Sequence, residues 1–125
     1  MSTQFLTACS LDELAGKSVY PVILNGWPVF ICQANDRLYA VINRCSHAHV
    51  ALEGGRVRKD NIICPVHGAR FNLETGKCLG GQPYLPLKVF QVRVAAGKVE
   101  VAVPEEKPTS DYLPVSGGEL YGQGG

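Results

Sequence analysis

A chain of 125 residues with a formal charge of +1 is most simply one domain, long enough to bury a core of its own. Its 12 basic and 11 acidic residues nearly cancel, which argues against a surface built for nucleic acid or an anionic membrane. No apolar run approaches the roughly 20 residues of a membrane-spanning helix, and residues 1–16 contain neither the basic start of a secretory signal nor a twin arginine. The expectation is a cytoplasmic, unanchored protein with no nucleic-acid or membrane partner.

The elements follow in chain order. Ser10-Leu11-Asp12-Glu13 is a capping-box pattern that opens one short helical turn. Val19–Leu24 reads as a strand, Asn25-Gly26 as a hairpin turn, and Trp27–Ala34 as the returning strand, with Pro28 placing it at an edge or a strand start. Asn35-Asp36 turns again into Arg37–Ile42, where Leu38, Ala40 and Ile42 alternate with more polar neighbours. Residues 43–86 are poorer in apolar side chains and richer in glycine and proline. They are predicted to form two loops joined by short strands at Arg56–Arg58 and 62–64, with a further strand pair flanking Leu73-Glu74-Thr75-Gly76. Residues 87–94 and 98–103 form a last pair around Ala96-Gly97, the second with valine at every other position. No segment carries a long helical period, so the fold class is all-β, a small antiparallel sandwich or barrel. The organisation is one domain over residues 1–103, a ligand-bearing part at about 43–86, and a tail at 104–125 that is mobile or laid on the surface.

Five cysteines, an odd number at irregular spacing, make a poor disulfide framework. Cys9, Cys32 and Cys78 lie in or beside apolar stretches and read as structural thiols. Cys45 and Cys64 are different. Cys45-Ser46-His47 and Cys64-Pro65-Val66-His67 each offer one thiolate and one imidazole, with sixteen residues between His47 and Cys64. That donor set suits a two-iron, two-sulfide cluster in which Cys45 and Cys64 hold one iron and His47 and His67 the other. In its oxidised form, two ferric ions against two sulfides and two thiolates leave a neutral core, which accepts an electron more readily than an all-cysteine cluster. Gly68 after His67 allows the backbone to come close to such a group. A structural zinc site made from the same residues is the competing reading, although zinc motifs usually pair cysteine with cysteine and histidine with histidine.

Cys-x-His followed by Cys-x-x-His-Gly is the Rieske signature. The chain resembles the Rieske-type ferredoxins of bacterial ring-hydroxylating dioxygenase systems. The resemblance rests on Cys45-Ser46-His47, Cys64-Pro65-Val66-His67-Gly68, Phe71-Asn72-Leu73-Glu74-Thr75-Gly76 and Leu85-Pro86-Leu87, and runs from about residue 5 to residue 103. It implies one [2Fe–2S] cluster at the tip of an antiparallel β fold, with metal ligands Cys45, His47, Cys64 and His67. It also implies a shuttle between a flavin-containing ferredoxin reductase and a terminal oxygenase, docking transiently near His47 and His67, and a proline loop at 82–86 sheltering the cluster. The alternative in the same fold is a small redox subunit of another complex, such as a nitrite-reductase-type enzyme.

Two absences refine this reading. High-potential relatives carry loop cysteines that form a disulfide and a serine beside a cluster sulfur; the corresponding positions here are Val50, Val66 and Ala69. Fewer hydrogen bonds to the sulfurs imply a potential near the lower end of the roughly −150 to +300 mV that Rieske centres span. The chain has 3 histidines, so once His47 and His67 are used only His49 remains. A two-histidine, one-carboxylate catalytic iron cannot be built from that, and there is no G-x-G-x-x-G. The expectation is an electron carrier with no catalytic residues, in which His49 is an ordinary loop residue and Trp27 packs. From Arg44 to Lys77 six basic residues face three acidic ones, a net +3. The tail from Pro104 carries four acidic residues against one basic, a net −3.

Overall fold

The computed structural model describes residues 2–34, 36–45, 49–52, 54–65, 68–79 and 85–114. Eleven strands and one turn of α-helix follow in order: β1 (Thr3–Ser10), α1 (Leu11–Leu14), β2 (Val19–Leu24), β3 (Trp27–Ala34), β4 (Arg37–Ile42), β5 (Arg56–Arg58), β6 (Asn61–Ile63), β7 (Arg70–Asn72), β8 (Cys78–Leu79), β9 (Val89–Phe90), β10 (Val92–Ala95) and β11 (Lys98–Pro104). They make three antiparallel sheets of order β1-β11-β10, β2-β3-β4-β9 and β5-β6-β7-β8.

Tight turns set the registers. Asn25 and Gly26 both have positive φ, 51° and 83°, the conformation that matches the twist of a two-residue hairpin, and they align Leu24 with Trp27. Ala96 and Gly97, at 52° and 77°, do the same for β10 and β11. Strand β3 is buried without interruption from Trp27 to Cys32, because it lies inside its sheet and packs on both faces. On β11 the alternating Val99, Val101 and Val103 are fully buried, while Glu100 faces outward and pairs with Arg93 at 2.7 Å. These valines share one core with Phe30, Val41, Phe90, Ile62, Phe71 and Leu73, so the core runs continuously into the small sheet β5–β8.

The sequence expectations need three corrections. Strand β1 was not foreseen. Its register shifts between Thr7 and Cys9, and the extra residue destroys the two-residue alternation that would have revealed it. Residues 87–94 do not form one strand: β9 pairs with β4 and β10 with β11, so the chain changes sheet at Gln91, whose carbonyl accepts from Ala102 N at 2.9 Å. Strand β6 ends at Ile63 instead of Cys64, because the Cys64 amide turns away to close a loop. The Ser10 capping box forms as read, with Ser10 N donating to Glu13 Oε1 at 2.8 Å and Glu13 N donating to Ser10 Oγ at 3.1 Å. These bonds hold the Glu13 carboxyl below its ordinary pKa.

Residues 104–114 lie as a strap along the first hairpin. Asn25 Nδ2 donates to the carbonyls of Pro104 and Glu105, and Trp27 Nε1 donates to Glu106 O at 2.8 Å. A 3-10 turn at Ser110–Tyr112 sets the Tyr112 ring 5.0 Å from that of Trp27. Residues 115–125, and Asn35 of the second turn, lie outside the described residues. Among the described residues no helix is long and apolar enough to cross a membrane.

Candidate metal centre

The two motif cysteines stand at the heads of two loops closed in the same way. After β4, the backbone of Asn43 is fixed by donation from its N–H to Pro28 O at 2.8 Å. Two residues on, Cys45 N donates to Val50 O at 2.8 Å, and His49, at φ 61°, donates its N–H back to Cys45 O at 2.6 Å. In the second loop, leaving β6, Cys64 N donates to Ala69 O at 2.7 Å before β7 begins. Each loop therefore spans six residues, counting the cysteine and the residue whose carbonyl accepts. The histidine falls at the third position in one, as His47, and at the fourth in the other, as His67. Gly68 has φ +69°, which gives that position a conformational reason for glycine that does not depend on crowding.

Both cysteines are buried, Cys45 at 0% exposure and Cys64 at 2%, and no disulfide joins any of the five cysteines. Two enclosed thiols heading matched loops fit the thiolate half of the donor set. Ser46, His47, Ala48, Val66 and His67 lie outside the described residues, as do positions 80–84 of the segment read as a proline loop. Of that segment, Leu85 and Pro86 are exposed, while Leu87 is buried and donates its N–H to Gly76 O at 2.8 Å, anchoring the segment to the small sheet.

Sequence reasoning missed Asn43. Among the described residues it is the polar residue buried in the core, and its Oδ1 accepts the Leu52 N–H at 2.7 Å. Leu52, fully buried, thereby pins the far end of the Cys45 loop to the strand that feeds it. The signal was an asparagine just past an apolar strand, which reads equally well as a turn residue. Asn72 plays a similar part between β7 and β8: its Oδ1 accepts from Glu74 N and Thr75 N, both at 2.9 Å, and so shapes the Leu73-Glu74-Thr75-Gly76 turn. The other cysteines are set apart from the motif. Cys32 is fully buried in β3, and burial pushes its thiol up from 9.0 to about 12. Burial first, and Glu13 second, raise the Cys9 thiol. His49 is exposed.

Comparison with known proteins agrees with this geometry. Residues 4–91 match the model of the Rieske [2Fe-2S] domain. The chain is 32% identical over 98 residues to the biphenyl dioxygenase ferredoxin subunit of Pseudomonas sp. (strain KKS102), covering 78% of this chain and 90% of that one. Its fold superposes with a TM-score of 0.72 and 32% identity on a chain of the complex of reduced oxygenase and oxidized ferredoxin in carbazole 1,9a-dioxygenase, covering 84% of this chain and 96% of that one. A Mycobacterium tuberculosis protein described as a putative NADH-dependent nitrite reductase small subunit is also similar, with a TM-score of 0.73 and 25% identity over 83% of this chain and 98% of that one. With two buried cysteines heading matched loops and a family match across both motifs, the chain belongs to the Rieske [2Fe-2S] domain family.

Proposed function

We propose that this chain is the Rieske ferredoxin of a ring-hydroxylating oxygenase system, carrying single electrons from a flavin-containing reductase to a terminal oxygenase. The observation that carries the reading is the pair of loops closed Cys45-to-Val50 and Cys64-to-Ala69, which put two enclosed thiols at equivalent places. We assign Cys45 and Cys64 as ligands of one iron and His47 and His67 as ligands of the other. The cluster supplies a site that takes up one electron and gives it back, at a potential raised by the neutral imidazoles. The protein supplies the frame. Burial of Cys45 and Cys64 keeps water from their sulfurs, and the cross-loop hydrogen bonds hold the ligand arms through the change of charge. It works as an electron-transfer component, and the oxygenase performs the catalysis.

Residues 1–103 are read as one Rieske domain, with a cluster-binding part at about 43–86 and a tail at 104–125. Five cysteines with no disulfide among them suit a reducing cytoplasm. The similarity to the biphenyl dioxygenase ferredoxin subunit and to the carbazole dioxygenase complex supports the oxygenase role. A nitrite-reductase-type subunit is the second reading, favoured by the M. tuberculosis neighbour.

Optical and electron paramagnetic resonance spectra of the dithionite-reduced protein test the assignment. A coloured protein with a mixed cysteine–histidine [2Fe–2S] signal is expected, and a colourless zinc protein overturns the reading. Reoxidation of the reduced protein by an oxygenase, and not by a nitrite reductase, separates the two partner readings.

A further inference from the structure

The strap and the cluster-bearing end of the molecule meet at a groove of about 630 Å³. Its apolar lining comes from Ile42, Leu85, Pro86, Leu87 and Tyr112, and its polar lining from Arg44, His49, Lys88 and Asp111. Three features mark it as a surface made to be covered. Leu85 is 75% exposed and Tyr112 is 38% exposed, which puts two large apolar side chains at its mouth. The groove abuts the Cys45 loop, since Arg44 precedes Cys45 and His49 N–H donates to Cys45 O. It also carries two cations against one carboxylate. Among the described residues the ion pairs are Arg37–Glu74 and Arg93–Glu100, and neither Arg44 nor Lys88 takes part in one.

Lys88 is held in place by aromatic rings, with no ion pair among the described residues. Its Nζ lies 5.6 Å from the centre of the Trp27 ring and 5.7 Å from that of Phe90, cation–π contacts that position the ammonium in the groove lining. Arg44 Nε donates to Leu113 O at 3.2 Å, which ties the end of the strap to the residue before the cluster cysteine. The strap contributes Asp111 and Tyr112 to the groove, and it lies beyond residues 4–91, the stretch matched to the family.

We propose that this groove is the docking face for the terminal oxygenase, receiving an apolar side chain between Tyr112 and Leu85 beside a carboxylate that pairs with Lys88. The strap at 104–114 is then part of the recognition surface. Charge complementarity fixes the partner's chemistry. An acidic patch with a protruding apolar residue gains both steering from Arg44 and Lys88 and burial of the Leu85–Tyr112 pair. The proposal rests on the oxygenase-carrier reading above.

The test uses the holoprotein, reduced by dithionite and mixed in a stopped-flow instrument with its terminal oxygenase. Each encounter passes one electron, so the reduced cluster is oxidised as one oxygenase centre is reduced. Lys88→Glu and Tyr112→Ala are each expected to slow the second-order rate by about tenfold. The Lys88→Glu variant should also lose the salt dependence of the wild type. Tyr112→Phe, which keeps the ring, should restore the rate, and Ile23→Ser, at an exposed site on β2 outside the groove, should leave it unchanged. The resonance spectrum and the rate of reduction by dithionite should match the wild type throughout.

Lys88→Glu and Tyr112→Ala rates within about twofold of the wild type overturn the proposal. So does a slowing seen only with the reductase, or a shift in the spectrum, which would make the strap a positioning element of the cluster. A wild-type protein with a Rieske spectrum that gives no electron to the oxygenase overturns the carrier reading itself.

Discussion

Gly76→Ala is the most direct probe of how the small sheet holds the segment that leads out of the cluster region. Gly76 has φ +80°, and a Cβ built on it would overlap the Leu87 carbonyl oxygen and lie 3.0 Å from Val89 Cγ2. Its own carbonyl accepts from Leu87 N at 2.8 Å, and its N–H donates to Asn72 O at 2.7 Å. The left-handed conformation costs an alanine about 1–2 kcal/mol. Displacing Leu87 also strains or breaks the hydrogen bond to Gly76, a further loss of about 0.5–1.5 kcal/mol. With Val89 forced to move as well, the expected destabilisation is about 2–4 kcal/mol, or roughly 6–20 °C in Tm for a domain of this size. Gly97→Ala is the control. It has the same kind of backbone, at φ +77°, with nothing within 4 Å of the added carbon, so it should cost only the conformational part, about 1–2 kcal/mol. Thermal unfolding followed by far-ultraviolet circular dichroism, together with loss of visible absorption, reads both. Because Leu87 anchors the exposed Leu85–Pro86 segment, the visible signal of Gly76→Ala should fade at a lower temperature than that of Gly97→Ala. Equal Tm losses in the two variants would refute the argument from the Leu87 contact.

Three other outcomes are expected. Asn43→Ala leaves the Leu52 N–H without its 2.7 Å acceptor in a buried site. It should cost about 1–3 kcal/mol by urea denaturation and speed cluster loss; an unchanged midpoint would remove Asn43 from the frame of the Cys45 loop. Burial raises the Cys32 thiol from 9.0 to about 12, so between those values the native chain keeps a proton that the unfolded chain has lost. Stability must then fall as pH rises, by up to about 1.4 kcal/mol per unit. Cys32→Ala should show a flatter profile between pH 9 and 10.5, and parallel profiles would count against this origin. His47→Cys replaces a neutral ligand with an anion and should move the potential from the Rieske range toward the roughly −400 mV of plant-type all-cysteine ferredoxins; a redox titration showing no downward shift would sink the assignment of His47 as a ligand.

Where local chemistry decides the structure, the sequence was easy to read. Asn25-Gly26 and Ala96-Gly97 are turns because of what those residues do to φ, and the strand bounds of β2, β3 and β4 follow from the turns around them. The motif cysteines were legible because their spacing is a chemical requirement. What stayed hidden depends on distant partners. Strand β1 is held by β11, nearly a hundred residues away, through a register broken after Thr7, so no local alternation announces it. Gln91 divides one apolar run between two sheets because Ala102 takes its carbonyl. Asn43 becomes a structural residue only when Leu52 folds back onto it.

The two loops also show why unequal motifs can serve one cluster. Cys-x-His and Cys-x-x-His differ by a residue, yet Cys45-to-Val50 and Cys64-to-Ala69 are closures of the same length. The fold therefore fixes the cysteine end and the loop exit alike in both, and the one-residue difference falls within the arm that carries each histidine. Holding the cysteines on buried, hydrogen-bonded backbone and the histidines partway along the loops separates the two halves of the proposed ligand set. On this reading, substitutions at Asn43 or Gly76 act on cluster retention through the frame. Substitutions at Lys88 or Tyr112 act on electron delivery and leave the cluster's spectrum alone. If Lys88→Glu altered the spectrum as strongly as Asn43→Ala altered stability, docking and cluster support would belong to one coupled surface, and that separation would fail.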